Sequence, residues 1–68
     1  MSPWTHYILS LTTGEVFSKH HSAFHAHRRF GTEFLSRKEY DVFEAGSVKE
    51  LARIQTRIQV AHREGTCI

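Results

Sequence analysis

The sequence predicts a small α+β domain, and three observations predict it. An apolar alternation opens the chain, a Thr-Gly turn reverses it, and an amphipathic run between two stop signals closes it. In residues 4–12 (WTHYILSLT), Tyr7, Leu9 and Leu11 fall on one side at strand period, amid aromatic and β-branched neighbours. Thr13 and Gly14 supply the reversal, and residues 15–20 (EVFSKH) return as the second strand of an antiparallel hairpin. Gly14 is the position most in need of positive φ.

Residues 23–30 suit a short helix. Ser22 is a good N-cap, Gly31 a natural left-handed stop, and Arg28 and Arg29 lie in the last turn, where cations favour the helix dipole. Residues 32–46 (TEFLSRKEYDVFEAG) carry two signals. Ser36 with Glu39 reads as a capping box, with Gly46 as the stop, and argues for a second short helix. Tyr40 to Ala45 has strand composition instead, and a lone hairpin is marginal in water without a third strand, so the strand reading is preferred. After residue 47 the pattern is plainer. Ser47 and Glu50 form a capping box; Val48, Leu51, Ala52, Ile54, Ile58 and Ala61 make an apolar face; Gly65 ends the helix.

The chain has 68 residues, 40% apolar and 24% charged, which bounds it to one folded domain, residues 1–68, with a small core. Disulfides are excluded as a staple, because Cys67 is the only cysteine; a lone thiol without a signal-peptide pattern points to a reducing, cytoplasmic setting. Apolar runs are too short for a membrane span. Net charge is +2 with histidines neutral, and protonating all six would raise it to +8.

Four of those histidines crowd one stretch, KHHSAFHAHRRF, at positions 19–30. Zinc, copper or nickel could use such imidazoles, but on a helix His25 and His27 point ~200° apart, leaving only His21 and His25 at i, i+4. No metal or other cofactor is expected. Catalysis is not expected either. The chain has no nucleophile elbow, phosphate-cradling loop or metalloprotease motif, and a thiol near the end is poorly held for attack.

Two binding readings remain. Lys19, Arg28, Arg29, Arg37 and Lys38 are interleaved with Phe24, Phe30 and Phe34, and Lys49, Arg53 and Arg57 recur every four residues opposite the apolar face of the last helix, with Gln55 and Gln59 near them. Those cations could hold phosphates directly, although no established nucleic-acid-binding motif accompanies them. The reading preferred from sequence is a basic, histidine-rich, non-enzymatic module that binds a protein or nucleoprotein stoichiometrically. It would act as a regulator or inhibitor of a larger machine, of the sort that phages and other mobile elements encode. Arg28, Arg29, Lys49, Arg53, Arg57, Val60 and Trp4 are its expected contact residues, and a second copy is a further candidate partner.

Overall fold

The computed structural model describes residues 4–65. Its elements are β1 (His6–Ser10), β2 (Val16–His20), α1 (Ala23–Thr32), β3 (Tyr40–Glu44) and α2 (Val48–Arg63). The α+β class is as expected, and the ambiguous middle segment is a strand. It lies on the far side of β1, giving a sheet of order β2-β1-β3 in which both neighbours are antiparallel to β1. β2 and β3 therefore run parallel with β1 between them. A tight turn cannot make such a connection, which needs a crossover, here α1.

The central strand is buried on both faces. Tyr7, Ile8 and Leu9 are all inside, so alternation sends Ile8 one way and its neighbours the other. Tyr7 and Leu9 join Ala45 and Ile58, with Leu11, Val16, Phe43, Leu51 and Ile54 packed around them; this is the α2 side. Ile8 faces α1, which lies across all three strands and buries Ala26 and Phe30. The sheet is thus sheathed by one helix on each side. The sequence reading placed only one face of β1 in the core, yet the unbroken Tyr7-Ile8-Leu9 run already carried the signature of a doubly covered strand.

Gly14 takes the expected positive φ, +78°. It is also where α2 docks. Gln55 Nε2 donates to the Gly14 carbonyl at 2.8 Å, and Gln59 Nε2 donates to the Thr13 carbonyl at 2.9 Å. Both glutamines were read with the outward basic ridge; their amides instead satisfy turn carbonyls that β2 cannot reach. The return strand carries a bulge. Ile8 pairs with Ser18 and Leu9 with Val16, so Phe17 is the extra residue, set beside the edge of the Tyr40 ring with 5.4 Å between centroids.

Both sheet edges are blunted. β2 has the bulge and Lys19. On β3, Leu11 bonding to Glu39 and Ala45 to Thr5 turn the Val42 amide outward, where Asp41 Oδ1 accepts it at 2.8 Å. These are features that discourage strand pairing with another chain.

Both helices start as expected. Ser22 Oγ accepts from the His25 amide, and Ser47 Oγ from the Glu50 amide, while Glu50 Oε2 takes the Gly46 amide at 2.8 Å. α2 also stops as expected, with Gly65 at φ +75°. Its apolar face is narrower than the sequence suggested. The inward stripe is Leu51, Ile54, Ile58 and Ala61; Val48 is 72% exposed and Ala52 exposed too. On a 100° wheel those two sit ~80° and ~120° from Ile58, beyond the width that one sheet face covers.

The end of α1 departs from expectation. Gly31 does not stop the helix, which continues to Thr32 with Glu33 as C-cap. An Arg29–Glu33 ion pair at 2.9 Å and a Thr32 Oγ1 bond to the Arg28 carbonyl at 2.8 Å hold those two extra residues. The left-handed residue is Phe34, φ +54°. Its amide bonds to the Gly31 carbonyl at 3.1 Å and the Leu35 amide to the Phe30 carbonyl at 3.2 Å, the two bonds of a Schellman motif. Glycine ordinarily fills this site, and an L-residue there costs roughly 1–2 kcal/mol.

Candidate binding surface

The expected contact residues are divided by the sheet. Arg28 and Arg29 lie on α1, whereas Lys49, Arg53, Arg57 and Val60 lie along the outer side of α2, across the sheet from them. One flat partner cannot touch both groups. Trp4 belongs with the core: it is half-buried, packs against the α2-side cluster, and stacks on the His21 ring at 4.2 Å. Of the cations proposed for phosphate binding, Lys19 lies opposite Tyr7 on the β2 edge, while Arg37 and Lys38 follow α1 in the turn before β3.

The arginines of the α1 side differ in freedom. Arg29 pairs with Glu33 and covers the Phe17 ring at 5.9 Å. Arg37 pairs with Asp41 at 3.2 Å and stands 4.7 Å over the Phe30 ring. Among the described residues, Arg28 has no such partner. Neighbouring aromatics are also split, because Phe30 is buried whereas Phe24 is 68% and Phe34 92% exposed. At 100° per residue, Phe24, Arg28 and Gly31 fall within ~60° on the outer side of α1, with His27 beside them and Phe34 just past the end. Gly31 adds no wall to this ridge: a Cβ built there meets nothing within 4 Å.

Among the described residues no group of three or more His, Cys, Asp or Glu is placed to hold an ion. His25 Nδ1 is instead within hydrogen-bond range of Ser22 Oγ, 2.7 Å, and His21 is stacked on Trp4. Cys67 lies outside the described residues.

What the histidines do form is a corner around His20. His6 on β1 sits opposite His20 on β2, with His21, His25 and Arg29 close enough to act on it. Burial pushes the His20 pKa below its ordinary 6.5, and Arg29, His25, His21 and His6 push the same way. Glu44 meets His6 at 3.1 Å, and His20 Nε2 bonds with Ser18 Oγ at 2.7 Å. A depressed pKa in the folded state means that the unfolded chain binds the proton more readily. Stability should therefore hold above pH ~6.5 and fall as the pH drops below it. Urea midpoints between pH 7.5 and 5 should show that decline, and His20→Gln should flatten it; an equal decline in the variant would acquit His20.

A shallow open depression of ≈ 340 Å³ lies at the hairpin mouth, lined by Ser10, Thr12, Thr13, Glu15, Val16, Phe17 and Tyr40. Its hydroxyls serve the turn: Ser10 Oγ bonds with Thr12 Oγ1 at 2.9 Å and accepts from the Thr13 amide at 3.3 Å. No imidazole or thiol lines it to activate a nucleophile.

Compared with known protein families, curated proteins and solved structures, the chain matches none. Its surface chemistry must carry the functional reading. Among the described residues, no helix is long and apolar enough to cross a membrane.

Proposed function

We propose that this chain is a non-enzymatic binding module that acts stoichiometrically on a protein or nucleoprotein partner, as a regulator or inhibitor of a larger assembly of the kind mobile elements encode. A reducing, cytoplasmic setting fits its single cysteine. One observation supports the reading above others. A chain this short of core material leaves Phe24, on α1, and Phe34, just past its end, exposed to water. Interfaces enrich for aromatic and arginine side chains, and exposed Arg28 lies between these two along the chain. Chemical crosslinking in the native cell, read by mass spectrometry, should give a saturable adduct of fixed stoichiometry. Recovery of the chain only as a lone monomer, or substrate turnover by the pure protein, would count against the proposal.

A second reading, direct nucleic-acid binding, has its own support on the other side of the sheet. Lys49, Arg53 and Arg57 are exposed, and among the described residues none of them has an ion-pair partner; Glu50 is occupied with the Gly46 amide. Three phosphate contacts imply a ~40-fold loss of affinity between ~50 and ~200 mM salt. Under this reading, a labelled oligonucleotide should show that dependence, and Arg53→Glu with Arg57→Glu should remove binding. Affinity that survives the double reversal would eliminate the α2 ridge.

A further inference from the structure

Two residues at the end of α1 are in each other's natural places. Glycine suits the left-handed residue after a helix and weakens a helix interior, yet this chain has Gly31 inside α1 and Phe34 at φ +54° beyond it. Nothing within the fold asks for either. A Cβ at Gly31 would point into open space, and the Phe34 side chain is 92% exposed with no ring partner among the described residues. Exchanging the two residue types would suit the local backbone better. Strain kept in this way, on a surface, gathers where something else must fit.

We propose that the outer ridge of α1, formed by Phe24, His27, Arg28 and Gly31 and ending at Phe34, docks an acidic, apolar segment of a partner protein. This rests on the reading of the chain as a binding module and gives that module its surface. Phe34 is the anchor that enters an apolar pocket, Gly31 is the point of closest approach, and Arg28 receives a carboxylate with its guanidinium fork. Charge selects the partner. Glu33, the acid nearest the ridge in sequence, is already paired with Arg29, so among the described residues the ridge presents the Arg28 guanidinium without an ion-pair partner. A second copy would set one basic ridge against another. Two phenylalanine rings also supply only about 300–500 Å² of contact, short of the ~800 Å² each member of a stable dimer contributes. Nucleic acid is disfavoured on number: with Arg29 and Arg37 held in ion pairs, Arg28 is the one arginine of the α1 side without such a pair among the described residues, against three exposed cations on the α2 ridge.

The test is a selection of the immobilised 68-residue chain against a phage-displayed random dodecapeptide library, with a labelled oligo-dT strand as a parallel probe. Enriched peptides should combine Asp or Glu with large apolar residues, and Arg28→Glu, Phe34→Gly and Gly31→Gln should each weaken their binding by ~10-fold or more. Two of these variants guard against a trivial loss of fold. Phe34→Gly relieves a left-handed residue and Gly31→Gln strengthens a helix turn, so each should raise the melting temperature by about 3–8 °C while binding falls. Peptides whose binding ignores all three substitutions would overturn the ridge but leave the binding module standing. The absence of any enriched peptide, or binding of the oligo-dT strand that these substitutions abolish, would overturn the proposal outright.

Discussion

Ile8→Ala is expected to leave much of the population unfolded at 25 °C. Ile8 is fully buried at the centre of the central strand, and it is the residue β1 sends towards α1. Truncating a buried isoleucine costs about 2–5 kcal/mol, the spread reflecting how far the site can collapse. A core in a chain of this length supplies only about 3–5 kcal/mol in all. Collapse is restricted here, because backbone hydrogen bonds to β2 and β3 fix β1 on both sides. Far-UV circular dichroism with a urea titration reads the result directly. A cooperative transition within ~1 kcal/mol of the parent would mean that α1 contributes little to the core. Leu11→Ala is a useful contrast, since Leu11 is only half-buried at the rim of the other cluster and should cost much less.

Gly14→Ala should be the next most damaging change, at about 2–4 kcal/mol, for two separable reasons. The residue has φ +78°, and a Cβ there would lie 2.9 Å from the Gln55 carbonyl oxygen. Because that oxygen belongs to the backbone of α2, no side-chain substitution at position 55 can relieve the clash. The helix must lift from the hairpin, straining the bonds from Gln55 and Gln59 to the turn. Gly65→Ala isolates the first reason. Its φ is nearly the same, +75°, but a Cβ there meets nothing within 4 Å, so only the backbone term of roughly 1–2 kcal/mol should appear. Equal losses at the two glycines in urea titrations would show that the close approach of α2 to the turn is unimportant.

The turn and caps were legible because their signals are local. The glycine between alternating runs at Gly14, and the serine three residues before Glu50, act within a turn of chain, whereas the same serine–glutamate spacing at Ser36 and Glu39 starts no helix because β3 is needed beside β1. The strand at Tyr40–Glu44 was legible for a less local reason: the hairpin needed a third member. Gly31 misled because a glycine after two arginines is a common helix stop, and only the ion pair to Glu33 and the burial of Phe30 carry α1 onward. Gln55 and Gln59 misled similarly. Polar side chains near a basic ridge look solvated until a turn with unsatisfied carbonyls is placed beneath them.

The candidate surface was legible only in its ingredients. Sequence named Phe24, Phe34, Arg28, Arg29 and Arg37 together, yet could not tell that Phe30 is buried or that two of those arginines are committed to Glu33 and Asp41. Those facts depend on which face of α1 meets the sheet, and Ile8, eighteen residues before Ala26 in the chain, decides that.

Taken alone, the sequence determined the elements, most of their ends and the positive charge, since each depends on residues within a turn or two of one another. Tertiary structure decided which residues face water together. That β1 is covered on both sides, that the two basic helices sit on opposite faces, and that Phe34 rather than Gly31 takes the left-handed position all follow from contacts between distant segments, whose free energy outweighs local preference.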